Sequence, residues 1–315
     1  MESNLGNSLI LFPTWWPSVG NELDGNFFMD QILALKEVYK KPIIVVLFSE
    51  QTKDWLTNDK LEFIKIKPKK IVPARLGKWA EKLKRKYLIH YFNEKVNSAL
   101  VKGGYKPELA LVQSVLSNAF LHFNFLKAEN LPYFIIEHYV TFHKVEHYMY
   151  RPFGNLIEIK QFVKGAVKRF GVSKTYSEIY SNYFESNFTH LYNPINSIFF
   201  NHEVAVRKSK VFTFINIGGE ADLRKRPYLI LAALNKAFSD KVRLIFVAKN
   251  QLKSELIKYA TKINFKHELE FYPKLPQSKI INLLDESNVL LSASEYESFG
   301  LTIIEANARG LPVVC

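Results

Sequence analysis

Two glutamates near the end of the chain, Glu297 and Glu305, frame the string Phe299-Gly300-Leu301 with seven residues between them. Carboxylates accept paired hydrogen bonds from neighbouring hydroxyls, so such a pair suits a sugar or a ribose. A short apolar run at 289–291 leads into the loop 292–299, and Gly300 opens a segment that reads as a helix. The free amides and dipole at a helix mouth attract an anion, and glycine there lets a ligand approach the backbone. Glu297 stands before that mouth, and Glu305 lies about a turn and a half inside it. One carboxylate then faces a ligand at the mouth while the other reaches along its flank. Taken as bare spacing, the same pair also fits a dipole-complementing glutamate followed by a surface one.

A second group of candidates follows the strand pattern at 211–217. Gly218-Gly219-Glu220-Ala221-Asp222-Leu223-Arg224-Lys225-Arg226 carries three consecutive cations, enough to meet a diphosphate or simply to solvate a helix entry. Glu137-His138 follows the apolar run 133–136, where a histidine is either a core residue or a ligand contact. No Asp-x-Asp occurs, and no His/Cys/Asp group has metal-ligand spacing, so a metal-free site is expected. Gly-x-Ser-x-Gly and Gly-Lys-Ser/Thr are also missing, which removes support for a hydrolase elbow or a P-loop. Glycoside hydrolysis by Glu297 and Glu305 would need both to flank one bond.

The elements that position these residues alternate strand and helix. Apolar runs at 8–12, 42–49, 109–112, 133–136, 170–173 and 190–192 are separated by helix-spaced segments such as 27–39. The second half repeats the pattern: strands at 211–217, 242–247, 269–272 and 289–291, helices at 228–238, 251–263, 276–285 and 301–309. Such alternation predicts an α/β fold of parallel sheets with crossovers, here two doubly wound, Rossmann-like domains, residues 1–192 and 193–315. The length of 315 residues and a hydrophobic share of 48% supply two cores. No apolar run is long enough to span a bilayer. The polar start carries no basic-then-apolar leader, and one cysteine, Cys315, suits a reducing compartment. A cytoplasmic protein is expected.

Ser294-x-x-Glu297-x-Phe299-Gly300-Leu301, then Glu305-Ala306, then Gly310-x-Pro312-Val313-Val314 resembles the signature of glycosyltransferase family 4. That family comprises retaining, nucleotide-sugar-dependent transferases with the GT-B fold, two Rossmann-like domains facing a cleft. The resemblance implies that Glu297 contacts the donor sugar's hydroxyls and Glu305 the nucleotide ribose. It also implies that the Phe299, Gly300 and Leu301 backbone supports sugar and diphosphate. It assigns Lys225 to the diphosphate, with Gly218, Arg224 and Arg226 beside it. The chain departs from the family pattern here: Gly219 or Glu220 stands where an arginine is usual, and Arg226 stands where glycine follows the lysine. His138 resembles the family histidine that contacts the transferred sugar near the reacting carbon, with Glu137 either touching ligand or supporting it. Asp24 and Gly25 resemble the family's first glycine loop, on the acceptor side, and Leu191-Tyr192-Asn193-Pro194 its interdomain hinge. Family members continue past the Pro-Val-Val string, so the second domain is read as incomplete.

The implied activity is transfer of a sugar from a UDP- or GDP-sugar to a hydroxyl of a glycan or lipid-linked acceptor in cell-surface polysaccharide biosynthesis. No cofactor beyond that co-substrate is expected. A sugar-nucleotide epimerase of the same architecture and a non-catalytic binding subunit are the alternatives. The net charge of +13 is uneven. Within 65–86 lie Lys65, Lys67, Lys69, Lys70, Arg75, Lys78, Lys82, Lys84, Arg85 and Lys86 against Glu81 alone, interleaved with Trp79, Leu83, Tyr87 and Leu88. That mixture suits an anionic membrane surface, on the inner face of the plasma membrane, better than a bare solvated face. Nucleic acid is not expected, because no recognition motif accompanies the charge.

Overall fold

Strands buried on both faces need continuous apolar runs, and Ile43–Phe48 with its sequence IIVVLF is such a run. The computed structural model describes residues 6–14, 16, 25–48, 61–67, 77–115, 119–138, 156–200, 210–219, 223–248 and 250–315. They fall into two units, Met1–Pro194 and Ile195–Cys315.

The first unit contains β1 (Gly6–Pro13), β2 (Ile43–Phe48), β3 (Glu62–Ile66), β4 (Tyr105–Gln113), β5 (Tyr133–Glu137), β6 (Lys168–Gly171) and β7 (Thr189–His190). Its helices are α1 (Asn26–Val38), α2 (Gly77–Gly103), α3 (Ala119–Ala128), α4 (Leu156–Gly165) and α5 (Lys174–Phe184). The strands pair in parallel in the order β3-β2-β1-β4-β5-β6-β7. Successive strand residues point to opposite faces. Leu9, Leu11, Ile43 and Val45 accordingly pack with Ile32 of α1. Ile10, Phe12, Ile44 and Val46 pack instead with Phe92 of α2 and Phe125 of α3.

The second unit contains β8 (Thr213–Gly219), β9 (Arg243–Ala248), β10 (Glu268–Tyr272), β11 (Val289–Leu291) and β12 (Val313–Val314), parallel in the order β10-β9-β8-β11-β12. Its helices are α6 (Pro227–Ala237), α7 (Asn250–Lys262), α8 (Gln277–Glu286) and α9 (Leu301–Ala308). Phe214, Leu244 and Phe246 pack with Leu231 of α6 and Leu256 of α7. Ile215, Ile245 and Val247 pack with Leu284 of α8 and Ala306 of α9. Strand order reverses at β1/β4 in one unit and at β8/β11 in the other. In doubly wound sheets the crevice at such a switch point, beyond the strand ends, is where ligands bind.

Not every described cation of the basic stretch 65–86 faces outward. Lys65 lies on β3, whose residues Phe63, Ile64 and Ile66 turn partly or wholly inward, and residues 68–76 lie outside the described residues. Lys82 and Lys86 are exposed on α2 beside Leu83 and Tyr87. Arg85 turns inward instead. Its guanidinium donates to both oxygens of Glu158 on α4, at 2.5 and 3.3 Å, and lies 5.4 Å from the Phe120 ring centre. Helical geometry separates it from its basic neighbours, because adjacent residues lie on different faces.

Candidate active site

The connections after β8 and β11 lie side by side, because those strands are paired at Val289↔Phe214 and Leu290↔Ile215. Asn216 reinforces the contact, its side-chain amide donating to the Leu291 carbonyl at 2.7 Å. After β8 comes a 3-10 turn, Leu223–Lys225, and then α6 with Pro227 in its first turn. Before that helix stands Arg226, at φ 44° and ψ 49°. This is left-handed backbone, which costs an L-residue about 1–2 kcal/mol and costs glycine little. The position where the family pattern has glycine therefore has a backbone reason for glycine, and this chain holds arginine in the same conformation.

Gly300 precedes α9 at φ 77° and ψ 48°, with no side chain capping the helix. Its carbonyl accepts the Ile303 N–H at 3.0 Å. The positive φ favours glycine and a Cβ there would approach the Ile303 side chain to 3.3 Å, so this position has a backbone reason for glycine before any ligand is considered. Phe299 and Leu301 flank it, partly exposed, and Glu305 lies on the second turn, also partly exposed. Gly218 is buried near the end of β8.

The loop 292–299 is fastened to the turn before α6. Lys225 Nζ pairs with Glu297 Oε1, both side chains 28% exposed. Glu295 N–H donates to the Arg224 carbonyl at 2.7 Å, and Glu295 Oε1 lies 3.3 Å from Arg226 Nη2. Lys225, Arg226, Glu297 and Gly300 are thus gathered at the β8/β11 switch point. Two cations and two helix mouths there suit an anion, and the carboxylates suit hydroxyls. Residues 220–222 lie outside the described residues. Glu295 also belongs to this group; its signal in the sequence is alternation with Glu297 along the loop.

His138, Glu137 and Gly25 belong to the first unit, and Asp24 lies outside the described residues. Glu137 ends β5 fully buried. One of its oxygens accepts the Val115 N–H at 2.8 Å and the other the His138 N–H at 2.9 Å. Its negative charge, after burial, helps keep the Tyr180 phenol protonated. Glu137 therefore fixes the chain on both sides of the β4/β5 ends. Ser114 Oγ also accepts from the His138 N–H, at 3.2 Å. Gly25, at φ 73°, opens α1 and places Phe27 and Phe28 against His138, with ring centres 5.2 and 4.8 Å away. Among the described residues, neither His138 ring nitrogen has a hydrogen-bond partner. Burial lowers its pKa from 6.5 to about 3. Alongside runs an amide chain that spacing did not disclose: Gln113 Nε2 donates to Gln31 Oε1 at 2.7 Å, and Gln31 Nε2 to Asn193 Oδ1 at 2.6 Å.

His122 on α3 is in the same electrostatic position as His138. It stacks on Phe12 at 4.6 Å, and burial lowers its pKa to about 3. In the unfolded chain each histidine takes up a proton near 6.5, so between that pH and about 3 the unfolded state holds more protons. The stability contributed by each neutral ring is full above pH 6.5 and is lost as pH falls. Lowering the pH from 7 to 5 should cost about 2 kcal/mol per histidine. His122→Phe should therefore lose about 2 kcal/mol less over that interval than wild type in urea unfolding. Equal losses would show that His122 takes up its proton without unfolding.

Residues 199–315 match the family described as glycosyl transferases group 1. No curated protein matches the chain in sequence. Among solved structures it resembles a Rickettsia africae glycosyltransferase, with TM-score 0.70 and 16% identity over 98% of this chain and 79% of that one. It also resembles Anabaena Alr3699/HepE in complex with UDP and glucose, with TM-score 0.69 and 16% identity over 98% and 80%. A third is the lipopolysaccharide outer core galactosyltransferase WaaB, with TM-score 0.64 and 13% identity over 97% and 79%. Residues 199–315 are therefore a glycosyl transferases group 1 domain, on a chain whose fold is GT-B.

Proposed function

We propose that this chain is a retaining, hexosyltransferase-like enzyme. It moves a sugar from a UDP- or GDP-sugar to a hydroxyl of a glycan or lipid-linked acceptor in cell-surface polysaccharide biosynthesis. The observation that carries the reading is the gathering of Lys225 and Glu297 at the β8/β11 switch point beside the Gly300 helix mouth. HepE, solved with UDP and glucose, shares the fold.

In this reading Lys225, Arg226 and the α9 mouth receive the diphosphate, Arg224 lies beside them, and Gly218 leaves room at the β8 end. Glu305 takes the ribose hydroxyls, while Glu297 takes hydroxyls of the transferred sugar. Charge accumulates on the diphosphate as its bond to the sugar carbon breaks. Fixed cations and helix amides stabilise that charge without reorganising. The acceptor oxygen attacks on the face the diphosphate leaves, and its proton passes to the departing phosphate oxygen. Neutral His138 can exchange hydrogen bonds with hydroxyls without bringing a charge into an apolar setting. The charge of the diphosphate is met by side chains, so turnover should persist in excess chelator.

Mass spectrometry of products from a panel of nucleotide sugars and acceptors tests the reading. Nucleotide release that requires acceptor supports transfer. Sugar isomerisation without acceptor would indicate an epimerase, and tight nucleotide binding without turnover a binding subunit.

Lipid-linked acceptors lie at a membrane, and α2 offers a surface for docking there. No helix among the described residues is long and apolar enough to cross a bilayer. Lys82 and Lys86 with Leu83 and Tyr87 form a basic, partly apolar face. Each cation near an anionic surface contributes about 1 kcal/mol. The protein should sediment with anionic liposomes, release as salt rises and ignore neutral ones. Lys82→Ser with Lys86→Ser should weaken this without touching nucleotide binding, whereas Arg85→Ser should destabilise the packing of α2 on α4. Equal sedimentation of wild type and the lysine variant would make the face merely solvated.

A further inference from the structure

Both carboxylates of the 292–299 loop are engaged by cations of the turn before α6. Glu297 pairs with Lys225. Glu295 faces Arg226 at 3.3 Å and is tied by its own N–H to the Arg224 carbonyl at 2.7 Å. Two anionic groups on one loop thus meet two adjacent cations on the other, as the two phosphates of a diphosphate would.

We propose that Glu295 and Glu297 hold the two cations that a diphosphate would take, and that a diphosphate binds by exchange of partners. The incoming phosphates take Lys225 and Arg226, and the carboxylates are released. Glu295 is on this account a positioning residue, one that stores Arg226 rather than touching substrate. The proposal rests on the nucleotide-sugar reading above and adds how the cations of that site change partners on binding.

Charge, backbone and recognition support it. The two pairs cancel in charge, so the connections after β8 and β11 can lie side by side without repulsion. If the diphosphate arrived without exchange, its charge would be set directly against both carboxylates in a partly exposed site. The backbone also matches: Arg226 is held in left-handed conformation at the start of α6, beside Lys225. Exchange further couples two recognition events. A displaced Glu297 is left beside the Gly300 mouth with an unsatisfied carboxylate, which sugar hydroxyls can engage and a bare diphosphate cannot.

Calorimetry with inorganic pyrophosphate at low salt, using the full chain, tests the exchange. Glu295→Gln should bind about two- to fivefold tighter than wild type, the range available from a partly exposed ion pair. Glu297→Gln should gain at least as much, because its pair is the more buried. Arg226→Gly should bind more weakly, and adding Glu295→Gln to it should restore nothing. That last comparison separates release of Arg226 from simple loss of a nearby negative charge, which would act with or without the arginine. A purely structural Glu295 would lower affinity when replaced, and thermal unfolding of the variant reports on that directly. Equal or weaker binding by Glu295→Gln, or a gain that survives in the double variant, overturns the exchange while leaving the nucleotide-sugar reading standing. If wild type and every variant bind neither pyrophosphate nor UDP, that reading falls and the exchange falls with it.

Discussion

Arg309→Ala is expected to lower the stability of the second unit by about 3–5 kcal/mol. Arg309 is 1% exposed, and its guanidinium donates to both oxygens of Asp285 on α8, Nε to Oδ1 at 2.8 Å and Nη2 to Oδ2 at 2.7 Å. Nη1 donates to the Phe199 carbonyl at 3.3 Å. Fork-to-carboxylate geometry is the strongest form of the ion pair. The pair joins the end of α9 to α8 and to the segment that enters the unit. Removing the guanidinium leaves Asp285 largely buried with no counter-charge, which is the costly way to break such a pair. A domain is stable by only about 5–15 kcal/mol, so the loss is a large part of the total. Urea unfolding followed by hydrogen exchange on β8 and β11 amides would measure it, with a midpoint lower by about 1–3 M. Asp285→Leu combined with Arg309→Met should recover much of the loss, since apolar groups of similar volume can replace a buried pair. A loss below about 1 kcal/mol for Arg309→Ala would show that water reaches Asp285 and solvates it.

Lys225→Met is expected to reduce kcat/KM for sugar transfer by about 10²–10³ while leaving the fold intact. The ammonium is proposed to meet charge that grows on the departing diphosphate, so part of its effect is realised only in the transition state. A side chain 28% exposed and paired to Glu297 contributes little to folding, and thermal unfolding should hardly move. Glu305→Gln provides the contrast. It should weaken binding of the free nucleotide about tenfold to a hundredfold through lost charged hydrogen bonds, with a smaller effect on kcat. Steady-state kinetics on the two variants decide the matter. If Lys225→Met raises KM alone, the lysine binds ground state and transition state equally. If Glu305→Gln leaves nucleotide affinity unchanged, the ribose assignment is wrong.

The alternation of apolar runs with helix-spaced segments fixes parallel sheets with crossovers, and the element positions read from it differ from the structure mostly by one or two residues at each end. The exceptions are instructive. β3 is a short edge strand whose lysine disguises its alternation, and α2 is too rich in cations spread around its circumference to show an apolar stripe. Charge density alone could not say which cations face outward. Arg85 is drawn in because Glu158, distant in sequence, lies across from it, a fact of tertiary packing.

The order of chemistry along the loops was legible because it is local: Gly300 before a helix, Glu297 ahead of its mouth, Lys225 before another. Strand order decided the rest. Only the parallel pairing of β8 with β11 brings the turn at 223–226 against the loop at 292–299, turning Lys225 and Glu297 from two charges far apart in the chain into one ion pair. The same holds in the first unit. Glu137-His138 is readable as a dipeptide, but the capture of the Val115 amide by Glu137 depends on β4 and β5 ending side by side, and so does the burial that keeps His138 neutral. Sequence determined which groups were available and on which kind of element each stood. Tertiary structure decided which met, because hydrogen bonds and ion pairs act over a few ångströms and sequence distance says nothing about ångströms.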